Sequence, residues 1–282
     1  MVIDLKLEPI TPDLGACVRI SSDEILGEGV PSLLLAALNQ YGVLVFPRIG
    51  LSDEQLVALS NQLGDMQAAR TTADGSGPSQ MGIYRIALDK DNRSQREYVA
   101  GNDYWHMDGT SYQTPGKATL LKCESPPGAG GDTEFAHLFA AYAALPEPGK
   151  RKLQGLRVVH CLEAVGRKFN PHPTAEDLQR WNTVFPPTEH PLVWKQLDGR
   201  TSLLIGSTAQ GIAGMPRDEG EALLQELLDW CTQDRFTYRH HWQQGDLVIW
   251  NNPGLLHRSH PYTEDAGRVM HRTTIRGFEA IA

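Results

Sequence analysis

The sequence predicts a mainly β fold with flanking helices, arranged as a β-sandwich or jelly roll. Two observations predict it. Four short extended runs close the chain, Phe236 to Trp242, Asp246 to Asn251, Leu255 to Arg258 and Arg268 to Arg276, joined by turns containing Gly and Pro. Helical patterns gather near the start and in insertions instead of alternating with strands, which argues against a doubly wound βαβ array.

Taken in order, Ile3, Leu5 and Leu7 alternate with charged or polar residues, and Ala16 to Ile20 follows as a second early strand. Val30 to Tyr41 is a compact apolar helix ended by Gly42, and Val43 to Phe46 is a buried strand stopped by Pro47. Ser52-Asp53-Glu54-Gln55 is a capping box opening a helix through Leu63. From Gln67 to Asp103 the chain is rich in Gly, Ser, Asp and Arg, with Met81 to Ile86 as a short strand within it. A loop this long next to a functional motif is expected to be a lid or a surface excursion. Strand-like runs Ala118 to Cys123 and Thr133 to Ala136 come next, then a helix near His137 to Leu145. Arg157 to Glu163, Leu192 to Leu197 and Ser202 to Ile205 read as extended, and Pro216 to Cys231 as a helix with Leu223, Leu224, Leu227 and Leu228 on its apolar face. With no internal repeat or long linker, a single domain over residues 1–282 is expected, with a lid near 67–103.

The 282 residues carry a net charge of −8, which argues against nucleic acid or an anionic membrane as main partner. A hydrophobic fraction of 40% and a charged fraction of 21% are those of an ordinary globular protein. No apolar run approaches the roughly 20 residues that span a bilayer. The start, Met1 to Leu7, alternates like a strand and has no signal-peptide core. Cys17, Cys123, Cys161 and Cys231 are scattered with no Cys-x-x-Cys pair, as expected of reduced thiols in a cytoplasmic protein.

Chemistry enters at Tyr104-Trp105-His106-Met107-Asp108-Gly109-Thr110. In an extended segment His106 and Asp108 share one face, and an imidazole with a carboxylate makes two thirds of the 2-His-1-carboxylate triad that holds non-haem iron. In a chain with 10 His and 34 acidic residues one such pair arises by chance, so the pair alone is weak. His257, after the tight turn at Asn252-Pro253-Gly254, is the candidate third ligand. Arg268 and Arg272 fall on one strand face, about 13 Å apart at ~3.3 Å per residue. Two guanidiniums aimed into one pocket call for anions, and arginine suits a bidentate grip on carboxylate.

Trp-His-x-Asp, Gly-Gly-Asp-Thr, Gly-Asp-Leu-x-Ile-Trp-x-Asn and His-x(10)-Arg-x(3)-Arg occur in this order. Together they resemble the taurine dioxygenase and 2,4-dichlorophenoxyacetate dioxygenase family of Fe(II)/2-oxoglutarate-dependent enzymes. The resemblance covers nearly the whole chain, most clearly Asn102 to Leu145 and Gly199 to Gly277. It implies a double-stranded β-helix, a cupin-like jelly-roll variant. It further implies Fe(II) as metal with 2-oxoglutarate and O2 as cosubstrates, and hydroxylation of a substrate C–H bond with release of succinate and CO2.

Carried over by position, His106, Asp108 and His257 match the iron ligands. Thr133 and Arg268 match the contacts to the distal carboxylate of 2-oxoglutarate. Arg272 matches the arginine near the cosubstrate's C1 carboxylate and, in several members, near the anionic group of the prime substrate. Asn102 matches a substrate contact, and Gly109 a backbone N–H offered to the substrate's anion. Tyr84, Arg85, Tyr104 and Tyr112 are further pocket candidates. The His and Tyr with which the taurine enzyme grips its sulfonate have no match between Gln67 and Asp103, where no His occurs. Ser202 to Gly206 and Leu255 to Arg258 look closer to the aryloxyalkanoate branch. The presence of Asp108 disfavours a halogenating relative.

The implied partner is therefore a small, anionic, apolar or aromatic organic acid; a homo-oligomer, dimer or tetramer, is left open. Trp105 and Trp250 read as core, Arg258 as a surface ion pair or a substrate contact, and His271 as a supporting or packing residue. His137, His160, His172, His190, His240, His241 and His260 read as hydrogen-bonded structural residues. Two rivals remain at this point, a metal-dependent hydrolase using a Zn-activated water and a non-catalytic anion-binding jelly-roll module.

Overall fold

The computed structural model describes residues 5–67, 81–88 and 93–282. Its frame is a seven-stranded sheet in the spatial order Lys6–Pro9, Ala16–Arg19, Val43–Phe46, Leu247–Asn251, Ala118–Ser125, Val269–Ile275 and Tyr84–Ala87. Neighbours run antiparallel except Ala16–Arg19 beside Val43–Phe46. Leu247–Asn251 lies between two partners, with Val248 opposite Val45 on one side and Leu121 on the other. A three-stranded sheet, Thr237–His240, Thr133–His137 and Leu255–Ser259, accompanies it.

Side-chain alternation explains why both faces of the large sheet are covered. Val43, Val45, Leu121, Val248, Trp250 and Met270 pack with Phe135 and Leu255 of the three-stranded sheet. The intervening residues, Leu44, Phe46, Leu120, Leu247 and Ile249, pack with Leu34, Leu38, Leu56 and Leu59 of helices Val30–Tyr41 and Asp53–Leu63. Strands buried on both faces need continuous apolar runs, which is what Val-Leu-Val-Phe and Leu-Val-Ile-Trp supply. Each such side chain contributes roughly 1.5–3 kcal/mol when fully buried. The predicted jelly roll with flanking helices is the observed fold.

Local signals hold where their chemistry is complete. The Ser52 hydroxyl accepts from Gln55 N, and Ser52 N donates to the Gln55 side chain, so both halves of the capping box are made. Gly42, at φ 72°, ends the first helix. Three expectations need correction. Arg157 to Glu163 is not one extended run: the strand stops at His160 and helix Leu162–Phe169 follows, entered through extended Cys161. The 67–103 stretch falls partly outside the described residues; within it lie the strand Tyr84–Ala87 and helix Arg93–Asn102, the latter in a region read as loop. Helices Glu147–Leu153 and Ala175–Val184 and strands Thr188–Pro191 and Ala209–Ile212 lie in segments read without structure. No described helix is long and apolar enough to cross a membrane.

Candidate active site

His257 is carried by strand Leu255–Ser259 of the three-stranded sheet. His106 pairs with it as an isolated antiparallel bridge, and the chain turns immediately afterwards, at Asp108. One donor atom from each of His106, Asp108 and His257 lies within 4.8 Å of the others. The closest approaches are 3.9 Å from His106 Nε2 to Asp108 Oδ1 and 3.7 Å from His257 Nε2 to Asp108 Oδ2. The three donors predicted to converge do so.

The donor set suits a divalent cation. His106 Nδ1 lies 2.8 Å from the Tyr104 carbonyl, which can only accept, so Nδ1 carries the proton and Nε2 presents its lone pair to the cluster. Burial lowers the affinity of both imidazoles for protons, in His257 well below its ordinary range, with the neighbouring imidazole adding to the effect. Burial alone would raise Asp108, but Arg272 first, then the two imidazoles, hold it down at about 2. At neutral pH the site therefore offers two neutral nitrogens and one carboxylate, the composition favoured by Fe(II) in facial triads.

Asp108 is fixed from behind. Arg272 Nη2 donates to its Oδ2 at 2.6 Å, and Thr119 Oγ1 reaches the same oxygen at 3.2 Å. Asn252 Nδ2 in turn donates to Thr119 Oγ1 at 3.0 Å. Trp250 packs against the His257 ring, centroids 4.8 Å apart, on the apolar side.

Two cavities adjoin the cluster. The first, a narrow one of about 40 Å³, is bounded by His106 and His257 and by the predicted residues Asn102, Thr133, Arg268 and Arg272. Arg268 is buried, with Nε donating to the Gly131 carbonyl at 3.0 Å and its guanidinium 5.1 Å from the Tyr262 ring centroid. Gly131 explains part of Gly-Gly-Asp-Thr: it sits at φ 68°, and a Cβ there would meet Arg268 Cδ at 2.9 Å. Thr133 Oγ1 accepts from Trp242 Nε1 at 3.0 Å, which fixes its rotamer. The second cavity, about 360 Å³, is more apolar and is bounded by Asp108, Gly109, Arg272, Tyr84, Tyr98 and Tyr112, among others.

Tyr104 is not brought to either cavity: its hydroxyl donates to the Lys168 carbonyl at 3.0 Å and its ring lies under the Lys168 ammonium. Its backbone carbonyl, through His106, is what serves the site. Arg258 borders the first cavity while bonded to Glu134 at 2.8 Å and stacked over Trp105. His271 faces the other way, towards Asp53 at 2.8 Å. Asp53, Glu124 and His271 form a second group of potential ligands, but the buried Lys122 ammonium already stands there, 2.7 Å from Asp53 and 2.5 Å from Glu124. Sequence patterns do not mark Tyr98, Thr119, Trp242 or Tyr262: Tyr98 and Trp242 reach the site through contacts 174 and 109 positions away, and Thr119 and Tyr262 through nearer contacts to Asp108 and Arg268 that belong to no motif.

Residues 6–274 match the family described as Taurine catabolism dioxygenase TauD, TfdA family. The chain belongs to this family. It is similar to the alpha-ketoglutarate-dependent 2,4-dichlorophenoxyacetate dioxygenase of Cupriavidus pinatubonensis, 34% identical over 94% of this chain and 96% of that one. A second relative, the (S)-phenoxypropionate/alpha-ketoglutarate-dioxygenase of Sphingobium herbicidovorans, is 34% identical over 86% and 85%. Among solved structures, that of AAD-2 in complex with Mn(II) and N-oxalylglycine superposes with a TM-score of 0.83 at 27% identity, covering 99% of this chain and 100% of the other. Membership makes the chain a 2-oxoglutarate-dependent dioxygenase, an enzyme using Fe(II), 2-oxoglutarate and O2. The hydrolase and binding-module readings are set aside accordingly.

Proposed function

We propose that this dioxygenase hydroxylates a C–H bond of a small, anionic, largely apolar organic acid of the aryloxyalkanoate type. One oxygen atom of O2 enters the substrate as a hydroxyl group. The other enters 2-oxoglutarate, which leaves as succinate and CO2. If the hydroxylated carbon bears an ether oxygen, the hemiacetal formed breaks down to a phenol and a carbonyl acid.

His106, Asp108 and His257 hold iron, which when bound supplies, with 2-oxoglutarate and O2, the oxidising power for C–H cleavage. His106 contributes Nε2 because the Tyr104 carbonyl retains the proton on Nδ1. Arg272 and Thr119 hold the carboxylate of Asp108 ionised and aimed. Arg268 and Thr133 take the distal carboxylate of 2-oxoglutarate, the guanidinium steadied by Gly131 and the hydroxyl by Trp242. Arg272 stands near the C1 carboxylate and towards the substrate's anion, with Asn102 and the Gly109 N–H as further contacts. Trp250 against His257 keeps the apolar side of the centre closed to water.

The observation that carries the reading is Arg272, a half-buried cation at the edge of a cavity walled by Tyr84, Tyr98, Tyr112 and Val184. A charge beside aromatic walls fits an acid with an apolar body. The aryloxyalkanoate relatives support the same class. The free cysteines fit the cytoplasm as its compartment.

The test is substrate-dependent succinate release with Fe(II) across phenoxyacetates, 2-phenoxypropionates, alkylsulfonates and alkyl sulfates. Phenoxyalkanoates are expected to give the highest kcat/KM, with phenol formed one-for-one with succinate. Stimulation by sulfonates alone, or by no acid, contradicts the proposal.

A further inference from the structure

We propose that Tyr98 is part of the substrate-anion grip: its hydroxyl, polarised by Arg272, donates a hydrogen bond to the carboxylate of the bound acid. The inference rests on the anionic-substrate reading above and adds to it a residue no sequence motif marks.

Tyr98 stands on helix Arg93–Asn102, and its hydroxyl oxygen accepts from Arg272 Nη1 at 2.7 Å. Arginine has donors only, so the phenol oxygen is the acceptor and its own O–H hydrogen points elsewhere. A hydroxyl that accepts from a cation is a stronger donor through its remaining hydrogen. The far end of the guanidinium is anchored, Nη2 lying 2.6 Å from Asp108 Oδ2, so Arg272 cannot turn away. The phenol is held too. Its ring meets Tyr84 edge-on, centroids 5.3 Å apart at 69°, and Tyr84 pairs directly with Arg272 across the neighbouring strands. The helix is tied down by Glu97, whose carboxylate takes both Arg180 Nη1 and Nη2 at 2.7 and 3.0 Å.

Position gives this pair its role. Among the described residues, the cavity with Thr133 and Arg268 and the more apolar cavity share Tyr98 and Arg272 and no others. An acid whose apolar body fills the second cavity meets an N–H and an O–H side by side at its inner end. A carboxylate has two oxygens for those two donors. A primary amide has one acceptor and brings N–H groups that would face the guanidinium, so it is refused.

The experiment titrates phenoxyacetate and phenoxyacetamide by calorimetry into protein loaded with Mn(II) and N-oxalylglycine, for wild type and Tyr98→Phe. Phenylalanine keeps the ring and its edge contact with Tyr84, and an unchanged thermal unfolding temperature reports that the fold is intact. Wild type is expected to prefer the acid. Tyr98→Phe is expected to lose roughly 10-fold or more in affinity for phenoxyacetate, the loss of a hydrogen bond to a charged group, while its weak binding of the amide is unchanged. Equal losses on acid and amide, or no loss on either, overturn the proposal while leaving the substrate reading in place. A wild type that binds neither ligand removes the substrate reading and this proposal together.

Discussion

His106 and His257 exchange both of their backbone hydrogen bonds, N to O at 3.0 and 2.9 Å, so two residues 151 positions apart are fixed in one register. Directly opposed residues project their side chains to the same side, and the two imidazole centroids lie 4.2 Å apart. The convergence of the two imidazoles is thus set by main-chain pairing, with the Asp108 carboxylate added by the turn that follows.

That pairing leaves no room beside it. Gly206 lies against the motif at φ 117°, where a Cβ would sit 2.9 Å from the Trp105 carbonyl oxygen and 3.1 Å from His106 Cα. Gly206→Ala is expected to lower stability by about 1–3 kcal/mol and to weaken Mn(II) binding by displacing His106. Thermal unfolding and metal titration of the variant check both.

Arg268→Ala removes the charge predicted to grip the distal carboxylate. It is expected to raise KM for 2-oxoglutarate by roughly 10- to 100-fold, with metal affinity kept. Gly131→Ala, which crowds Arg268 Cδ, should produce a smaller shift of the same kind. Succinate formation at varied 2-oxoglutarate measures both; unchanged saturation would remove Arg268 from the cosubstrate site.

The parts legible in the sequence were those written in short-range code. The Ser52 capping box, the Gly42 stop and the doubly buried runs at 43–46 and 247–251 each carry their whole signal within a few residues. The convergence of His106, Asp108 and His257 is readable because two of these donors lie in one tetrapeptide and the third precedes two arginines at fixed spacing. Helix Ala175–Val184 was missed although Thr174 caps it, because the box is closed by Asp177, one methylene shorter than the usual Glu or Gln. Helix Arg93–Asn102 has a polar sequence, and ties such as Glu97–Arg180 that secure it span 83 positions. Tyr98 could not be found for a similar reason: its meaning lies in a bond to Arg272, 174 positions away.

Thr119 holds Asp108 Oδ2 and is itself held by Asn252. Thr119→Val keeps the shape and removes the hydroxyl. Metal affinity is expected to fall roughly 10-fold or more, as for other residues that orient a ligand. Competition with a chelator of known affinity measures it; unaltered affinity would mean that Arg272 alone orients the carboxylate.

Acid sensitivity should begin in the histidine range. His160 is fully buried, bonded through Nδ1 to Thr208 Oγ1 at 2.9 Å, and burial, with His190 beside it, holds its pKa down at about 3. In the unfolded chain it titrates near 6.5. Between those values the unfolded state binds the extra proton, so the stabilising contribution is complete above about pH 6.5 and is lost as pH falls, by about 1.4 kcal/mol per unit for one such group. Urea unfolding between pH 7.5 and 5 should show this slope, and His160→Gln should flatten it.

The central claim is that His106, Asp108 and His257 hold iron next to the 2-oxoglutarate cleft. Its most direct measurement is anaerobic addition of Fe(II) and then 2-oxoglutarate to the apoprotein, following the visible iron-to-cosubstrate charge-transfer band. A band in wild type that is absent in His106→Ala and in His257→Ala is the predicted result. A band of equal strength in either variant, or none in wild type with metal bound, would contradict the assignment of the site.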